Sequence, residues 1–295
     1  MEEFDLNKYR LENPMDYLKA IEFIKEDPHN DIITQTIYKI TRLHIPDTVY
    51  KYYFLSNNSQ ENDIRFQTLL KKKVYMAHPK SFNDPFDNNA FYYRKEKLME
   101  YPFLRRFNGS IIDDFSDFIR LSSFTYIGIN CMPMWAHYSN NHQGFCVSYN
   151  TKLKENPLLS CTLFPVQYVE DRIDITAILE SVIDEIEILK KKAKKTGEKI
   201  IFCNNLIIIW ISFYYACLKH SSWSYEKELR CITASNSAGM PYLDATPSAI
   251  YLGAKCSEIN KKCLSDVAYH LNIPIYIMAI DEYAAKYELS PKKYG

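Results

Sequence analysis

Glycine is scarce in this 295-residue chain, with only seven copies. Neither GxGxxG nor GxxxxGK followed by Ser or Thr occurs, which excludes the glycine loops that cradle phosphates in dinucleotide dehydrogenases and P-loop enzymes. Net charge is absent as well, since 36 Lys plus Arg balance 36 Asp plus Glu. A broad basic face able to track duplex nucleic acid is therefore not expected. The eight cysteines form no CxxC pair and mostly sit among apolar residues, so they read as reduced, buried thiols rather than a disulfide frame or zinc site. HExxH is missing, and His137 and His142 stand five apart instead of the four that places two imidazoles on one helix face, so no metal is expected. The strongest apolar run, Leu206 to Leu218, is shorter than the roughly 20 residues of a membrane span. The opening MEEFDLNKYR has no apolar core for a signal peptide. These absences predict a cytoplasmic chain without a membrane partner.

Rings are abundant by contrast: 24 Tyr, 16 Phe and 3 Trp in a chain that is 47% hydrophobic, enough for a large core and an aromatic-lined pocket. The length suits one large domain with an appended piece. Asn13-Pro14 opens a helical pattern through Leu18, Ile21 and Ile24, and a second pattern from Asn30 carries Ile33, Ile37 and Ile40. Pro46 closes this helical extension, residues 1–46, and opens the main domain, residues 47–295.

In the main domain, strands are expected at Thr48–Leu55, Val74–Ala77, Ser123–Asn130, Gly144–Tyr149, Ser160–Val169, Trp223–Thr233, Ala249–Leu252 and Pro274–Ala279. Helices are expected from Asn58, over Ile111–Arg120 and Ser257–Leu271, and as an inserted pair, Ile173–Lys195 and Ile200–Lys219, spanning about 173–220. Pro133–Asn141 reads as an irregular connection or one helical turn. With strands mostly adjoining strands, the pattern predicts an α+β fold: a small split, mixed or antiparallel sheet with a helical N-terminal extension and a helical insertion.

Four constellations could carry chemistry. In Trp223-Ser224-Tyr225-Glu226-Lys227-Glu228-Leu229-Arg230-Cys231, strand alternation would put Glu226, Glu228 and Arg230 in one charged row above a core face. Carboxylates two apart on a strand sit roughly 6 to 7 Å apart, a spacing that suits substrate binding, charge stabilisation or a solvated edge strand. The segment Trp135 to Phe145, with His137, Tyr138, His142 and three amides, has the composition of a binding loop. Phe82-Asn83-Asp84-Pro85-Phe86-Asp87 is a turn projecting one amide and two carboxylates. Tyr50-Lys51-Tyr52-Tyr53 alternates rings and a cation.

Taken in order, these segments resemble the bacterial family catalogued as domain of unknown function 2971, over roughly residues 48 to 280. The plan of a basic or aromatic first strand, a helix before a short second strand, and a late strand bearing Glu-x-Glu also looks like ADP-ribosyltransferase-like domains, which bind NAD on a split sheet without a glycine loop. That likeness implies an intracellular enzyme using NAD as substrate, of the toxin or phage-defence effector type. Glu228 would stabilise the ribosyl oxocarbenium ion and hold a ribose hydroxyl, and Glu226 would orient the acceptor. Lys51 or Tyr52 would meet the nicotinamide ribose or diphosphate, and Tyr138 would stack on the nicotinamide. Asn83, Asp84, Trp135, His137 and Arg230 complete the expected cofactor-binding set. Two departures stand out: Tyr50-Lys51-Tyr52 replaces the first-strand Arg or His, and Ser122-Ser123-Phe124-Thr125 stands where Ser-Thr-Ser is usual. Two rival readings remain, a metal-dependent nuclease built on Asp84, Asp87, Glu226 and Glu228 and a non-enzymatic sensor recognising a ligand or partner through the Trp135 to Phe145 loop.

Overall fold

The computed structural model describes residues 4–27, 30–87, 89–111, 115–197, 206–234, 241–280, 282–283, 285 and 287–295. The N-terminal helices are α1 (Leu6–Glu12), α2 (Tyr17–Glu26) and α3 (Asp31–Leu43). Asp16 caps α2 by accepting from Lys19 N, so that helix starts three residues later than Asn13-Pro14 suggested. Asn30 caps α3 as the sequence indicated.

The main domain continues with β1 (Thr48–Tyr53), α4 (Ser59–Leu70), β2 (Lys73–Tyr75), β3 (Phe91–Tyr92), α5 (Lys95–Leu98), α6 (Pro102–Arg105), β4 (Ile119–Thr125), α7 (Met132–Tyr138) and β5 (Phe145–Asn150). Then come α8 (Pro157–Thr162), β6 (Leu163–Pro165), β7 (Gln167–Val169), β8 (Ile173–Asp174), α9 (Thr176–Thr196), α10 (Leu206–Tyr215) and β9 (Leu218–His220). The chain closes with β10 (Glu228–Ala234), β11 (Tyr242–Asp244), β12 (Pro247–Leu252), α11 (Glu258–Leu271), β13 (Ile275–Ile280) and β14 (Leu289–Lys293).

The fold is α+β with a helical N-terminal region. Among the described residues, one eight-stranded sheet runs β14-β13-β12-β5-β1-β4-β10-β6, with three two-stranded ribbons beside it. Its pairs are antiparallel except β12 with β13, which α11 joins by a crossover. α9 and α10 fall inside the expected insertion, while the stretch 198–205, where the second helix was expected to begin, lies outside the described residues.

Several boundaries differ from the sequence reading. Residues 115–118 form a short 3-10 turn and β4 begins at Ile119, so the helix expected over Ile111–Arg120 is not formed in its described part. Of the expected helix only Ile119 and Arg120 enter the strand, and Phe115 and Phe118 belong to the 3-10 turn; so short an apolar run has no period that separates helix from strand. Ser160–Val169 breaks into α8, β6 and β7, and Pro133–Asn141 contains the helix α7. The C-terminal part of Ile200–Lys219 is the strand β9.

One irregularity in the sheet places the cavity described below. β1 pairs with β5 along its whole length but meets β4 only at Tyr50 and Thr125. Further along β4, Leu121 exchanges both backbone bonds with Ala77. Between these anchors the edge of β4 at Ser122, Ser123 and Phe124 parts from β1, and the sheet is split there.

Candidate functional site

Glu226 and Glu228 do not share one strand. Residues Ser221–Glu226 form a 3-10 helix, capped by the His220 side chain accepting from Ser222 N, and Lys227 then takes a left-handed conformation at φ 48° and ψ 53° before β10 begins. The expected strand from Trp223 is thereby corrected: Trp223 and Tyr225 precede the sheet, and the left-handed residue resets the backbone direction. Glu226 is fixed from behind, its carbonyl accepting from Thr125 Oγ1 of β4. Strand alternation still holds for Glu228 and Arg230, which face the same side of β10.

The charged row is buried, not solvated. Lys219 of β9 donates from Nζ to Glu226 Oε2 at 2.6 Å and to Glu228 Oε2 at 3.2 Å, and lies 3.7 Å from Asp87 Oδ2. Arg230 donates from Nε to Glu228 Oε1 at 2.8 Å, from Nη2 to Asp87 Oδ1 at 2.6 Å, and from Nη1 to the Ala216 carbonyl at 2.7 Å. Tyr138 donates its hydroxyl to Glu226 Oε1, and Tyr168 accepts from Glu228 N at 2.9 Å. The side chains of Asp87, Lys219, Glu226, Glu228 and Arg230 are each no more than 6% exposed. Charges out of water are tolerated only when their lone pairs and protons are this fully engaged.

The two glutamates are driven apart in acidity. Burial and the neighbouring Glu228 charge raise Glu226, against the pull of Lys219. Burial would raise Glu228 too, but Arg230 and Lys219 overcome it and hold that carboxyl at about 2. Tyr138 is raised by burial and by Glu226, so it stays a neutral donor. Glu228 is thereby held anionic, while Glu226 binds its proton more tightly than an ordinary carboxyl, and acid–base sites set two carboxyls apart in the same way.

A cavity of about 800 Å³ opens onto this pair through the split between β1 and β4. Lys51, Tyr52, Asn83, Asp84, His137, Tyr138, Glu226 and Glu228 all line it, so segments far apart in sequence converge. Asp84 also closes its own turn, Oδ1 accepting from Phe86 N at 2.9 Å. Tyr52 donates its hydroxyl to the Gly128 carbonyl at 2.8 Å. Burial lowers the Lys51 ammonium to about 8, and Cys231 and Glu228 partly oppose that shift.

Two expected ligand contacts are corrected. Arg230 lies beneath the cavity, fully buried, as the clamp on Glu228 and Asp87. Trp135 is also fully buried, its Nε1 donating to the Ile129 carbonyl at 2.7 Å and its ring edge-on to Tyr52 at 5.0 Å, so it supports the wall without forming it. The segment after it is built by backbone geometry, with Asn140, Asn141 and His142 all left-handed. Lys219 and Asp87 were outside the expected nucleotide-binding set. A lone lysine ending the apolar run Ala216-Cys217-Leu218 is the signal that marks Lys219.

Among the described residues, no group of three or more His, Cys, Asp or Glu side chains is placed to hold a metal ion. The seven cysteines within them are free thiols, and no helix there is long and apolar enough to cross a membrane. Compared with known proteins, residues 134–231 match the model of a family described as a protein of unknown function, DUF2971. That stretch runs from α7 to the middle of β10 and leaves β1 and the turn bearing Asp87 outside. No curated protein and no solved structure gives a match.

Proposed function

We propose that this chain, whose DUF2971 segment supplies Tyr138, Lys219 and both glutamates, is an enzyme acting at the ribosyl–nicotinamide bond of NAD. It would transfer the ADP-ribosyl group to an acceptor or to water. The observation that carries this reading is one cavity containing a carboxylate held anionic, Glu228, beside a carboxyl with raised proton affinity, Glu226.

Breaking the ribosyl bond lets nicotinamide leave with the bonding electron pair and builds positive charge on the ribose. A fixed anion in a water-poor site stabilises that charge without reorganising. The acceptor oxygen then bonds to the anomeric carbon and must release a proton, a role we assign to Glu226; the hydrogen bonds from Tyr138 and Lys219 to its two carboxylate oxygens, which orient it, support that assignment. The cavity falls within the roughly 300–1,000 Å³ of small-molecule sites, and Tyr52, Tyr138, Phe82 and Trp223 offer ring surfaces along it.

The charge pairing favours this chemistry over a nuclease. Asp87, Glu226 and Glu228, three of the carboxylates a magnesium site would need, already face Lys219 and Arg230, so a metal would have to displace two internal cations.

Nicotinamide release from NAD by purified protein tests the proposal. Wild type is expected to release it in the presence of chelator. Folded Glu228→Gln should lose at least about 100-fold, and Glu226→Gln about 100-fold together with a changed pH profile. No release and no thermal stabilisation by NAD would overturn the reading, and magnesium-dependent cleavage of nucleic acid would replace it with the nuclease.

A further inference from the structure

Beyond the split the cavity has a second arm, between α4 and the ribbon of β2 and β11. Along α4, Glu61, Ile64, Arg65 and Thr68 stand at i, i+3, i+4 and i+7, so they form one stripe, and all four line the cavity. Tyr75 and Tyr242, register partners in the ribbon, line it too, with their rings edge-on at 5.6 Å. Phe54, which follows β1, belongs to the same lining. Phe54, Ile64 and Tyr75 are 45%, 60% and 53% exposed, so large apolar side chains from three segments meet solvent around one cavity. Ser122 supplies a polar group at depth. It is the register partner of Cys231, whose face of β10 shares a core with Leu69 of α4, Val74 of β2 and Leu243 of β11, so alternation turns its side chain to this side of the sheet, away from Glu228. Ser122 is 2% exposed and lines the cavity, and its Oγ has no hydrogen-bond partner among the described residues.

The make-up of this arm selects its occupant. Arg65 Nη1 lies 3.9 Å from Glu61 Oε2, so the charges on the α4 stripe balance each other and favour a neutral guest. Mostly apolar walls with few placed polar groups are what small-molecule sites present. Walls made of rings prefer an aromatic guest to an aliphatic one, because ring edges meet ring faces. A buried hydroxyl without a partner costs stability, and one polar group on the guest relieves that cost at Ser122.

We propose that the arm between α4 and the β2–β11 ribbon is a binding site for a small neutral aromatic molecule carrying one hydrogen-bonding group, the class to which simple phenols belong. The ring sits against Ile64, Tyr75 and Tyr242, and its polar group pairs with Ser122. This ligand is separate from the nucleotide, and the site does not depend on the ribosyl reading.

The test is a ligand-detected NMR titration of the full chain with p-cresol, toluene, cyclohexanol and adenosine at fixed pH. Wild type is expected to bind p-cresol about tenfold more tightly than cyclohexanol, which lacks the ring, and several-fold more tightly than toluene, which lacks the hydroxyl. Ser122→Ala should lower p-cresol affinity to that of toluene. Ile64 is exposed on its helix, so Ile64→Glu keeps the core intact and should weaken p-cresol binding about tenfold. Adenosine should not displace p-cresol. Absence of p-cresol binding, equal affinity for cyclohexanol, or unchanged p-cresol affinity in Ile64→Glu overturns the proposal. Displacement by adenosine overturns it as well, since the arm then belongs to the nucleotide. Should Ser122→Ala fail to fold, equal affinity of wild type for toluene and p-cresol does the same. Nicotinamide release plays no part in this titration. Binding of p-cresol without release removes only the ribosyl chemistry, and release without that binding removes only this site.

Discussion

At Glu228 the ion pairs are also a stability device, and the sign can be worked out. The folded carboxyl titrates at about 2, below its ordinary value of 4.5. Its contribution is therefore fully present above pH 4.5 and is lost as pH falls toward 2. The shift corresponds to a contribution on the order of 3 kcal/mol. Glu226, raised by burial, works in the opposite sense, and its contribution falls as pH rises through its folded value. Urea midpoints measured between pH 5 and 2 should drop more steeply in wild type than in Glu228→Gln, and parallel profiles would show that Arg230 and Lys219 do not hold that carboxyl down. The variant should also start lower by about 3–5 kcal/mol, since Arg230 and Lys219 then face an incomplete partner.

Two elements hold the site through close packing. α7 carries Tyr138 toward Glu226 and anchors itself with Trp135. Trp135→Ala is expected to cost about 3–5 kcal/mol in chemical denaturation, so loss of function in that variant would report an unfolded wall and not a lost contact with ligand. Where the chain leaves α7 for β5, a Cβ on Gly144 would sit 2.1 Å from the Tyr53 carbonyl oxygen and 3.0 Å from that of Ser139. Both obstacles are backbone. Gly144→Ala should lower stability by about 1–3 kcal/mol by the same measurement, and an unchanged midpoint would mean that β1 and β5 can separate there. Lys227 poses the converse case. Its left-handed conformation and the N–H it donates to Ser224 suit no proline, so Lys227→Pro should remove both stability and nicotinamide release.

At the scale of the molecule, the N-terminal helices share a core with the insertion. Tyr17 of α2 is fully buried and stacks on Tyr214 of α10 at 4.4 Å, and its hydroxyl donates to the Pro165 carbonyl. Ala20, Ile21 and Ile24 continue that contact in one cluster with Ile207 and Ile211. A chain starting after Glu26 should therefore melt at a lower temperature and bind a hydrophobic dye more strongly. An unchanged melting curve would make α1 and α2 dispensable.

The sequence by itself determined the α+β class, the helical start and the first helix of the insertion, because periodicity, caps and turn formers act over a few neighbouring residues. It could mark Asn83, Asp84, Tyr138, Glu226 and Glu228 as candidates, since polar side chains clustered among rings are local patterns. Tertiary structure decided the rest. Whether the charged row met solvent or was buried depended on Lys219 and Asp87, which are distant in the chain yet adjacent in space. Arg230 and Trp135 carried the same composition signals as their neighbours, but strand facing and helix packing sent one beneath the cavity and the other behind its wall. The split that admits the cavity arises where β4 leaves β1 for an isolated bridge to Ala77. Tyr50 with Thr125 and Ala77 with Leu121 are pairings distant in sequence, and no local pattern encodes them.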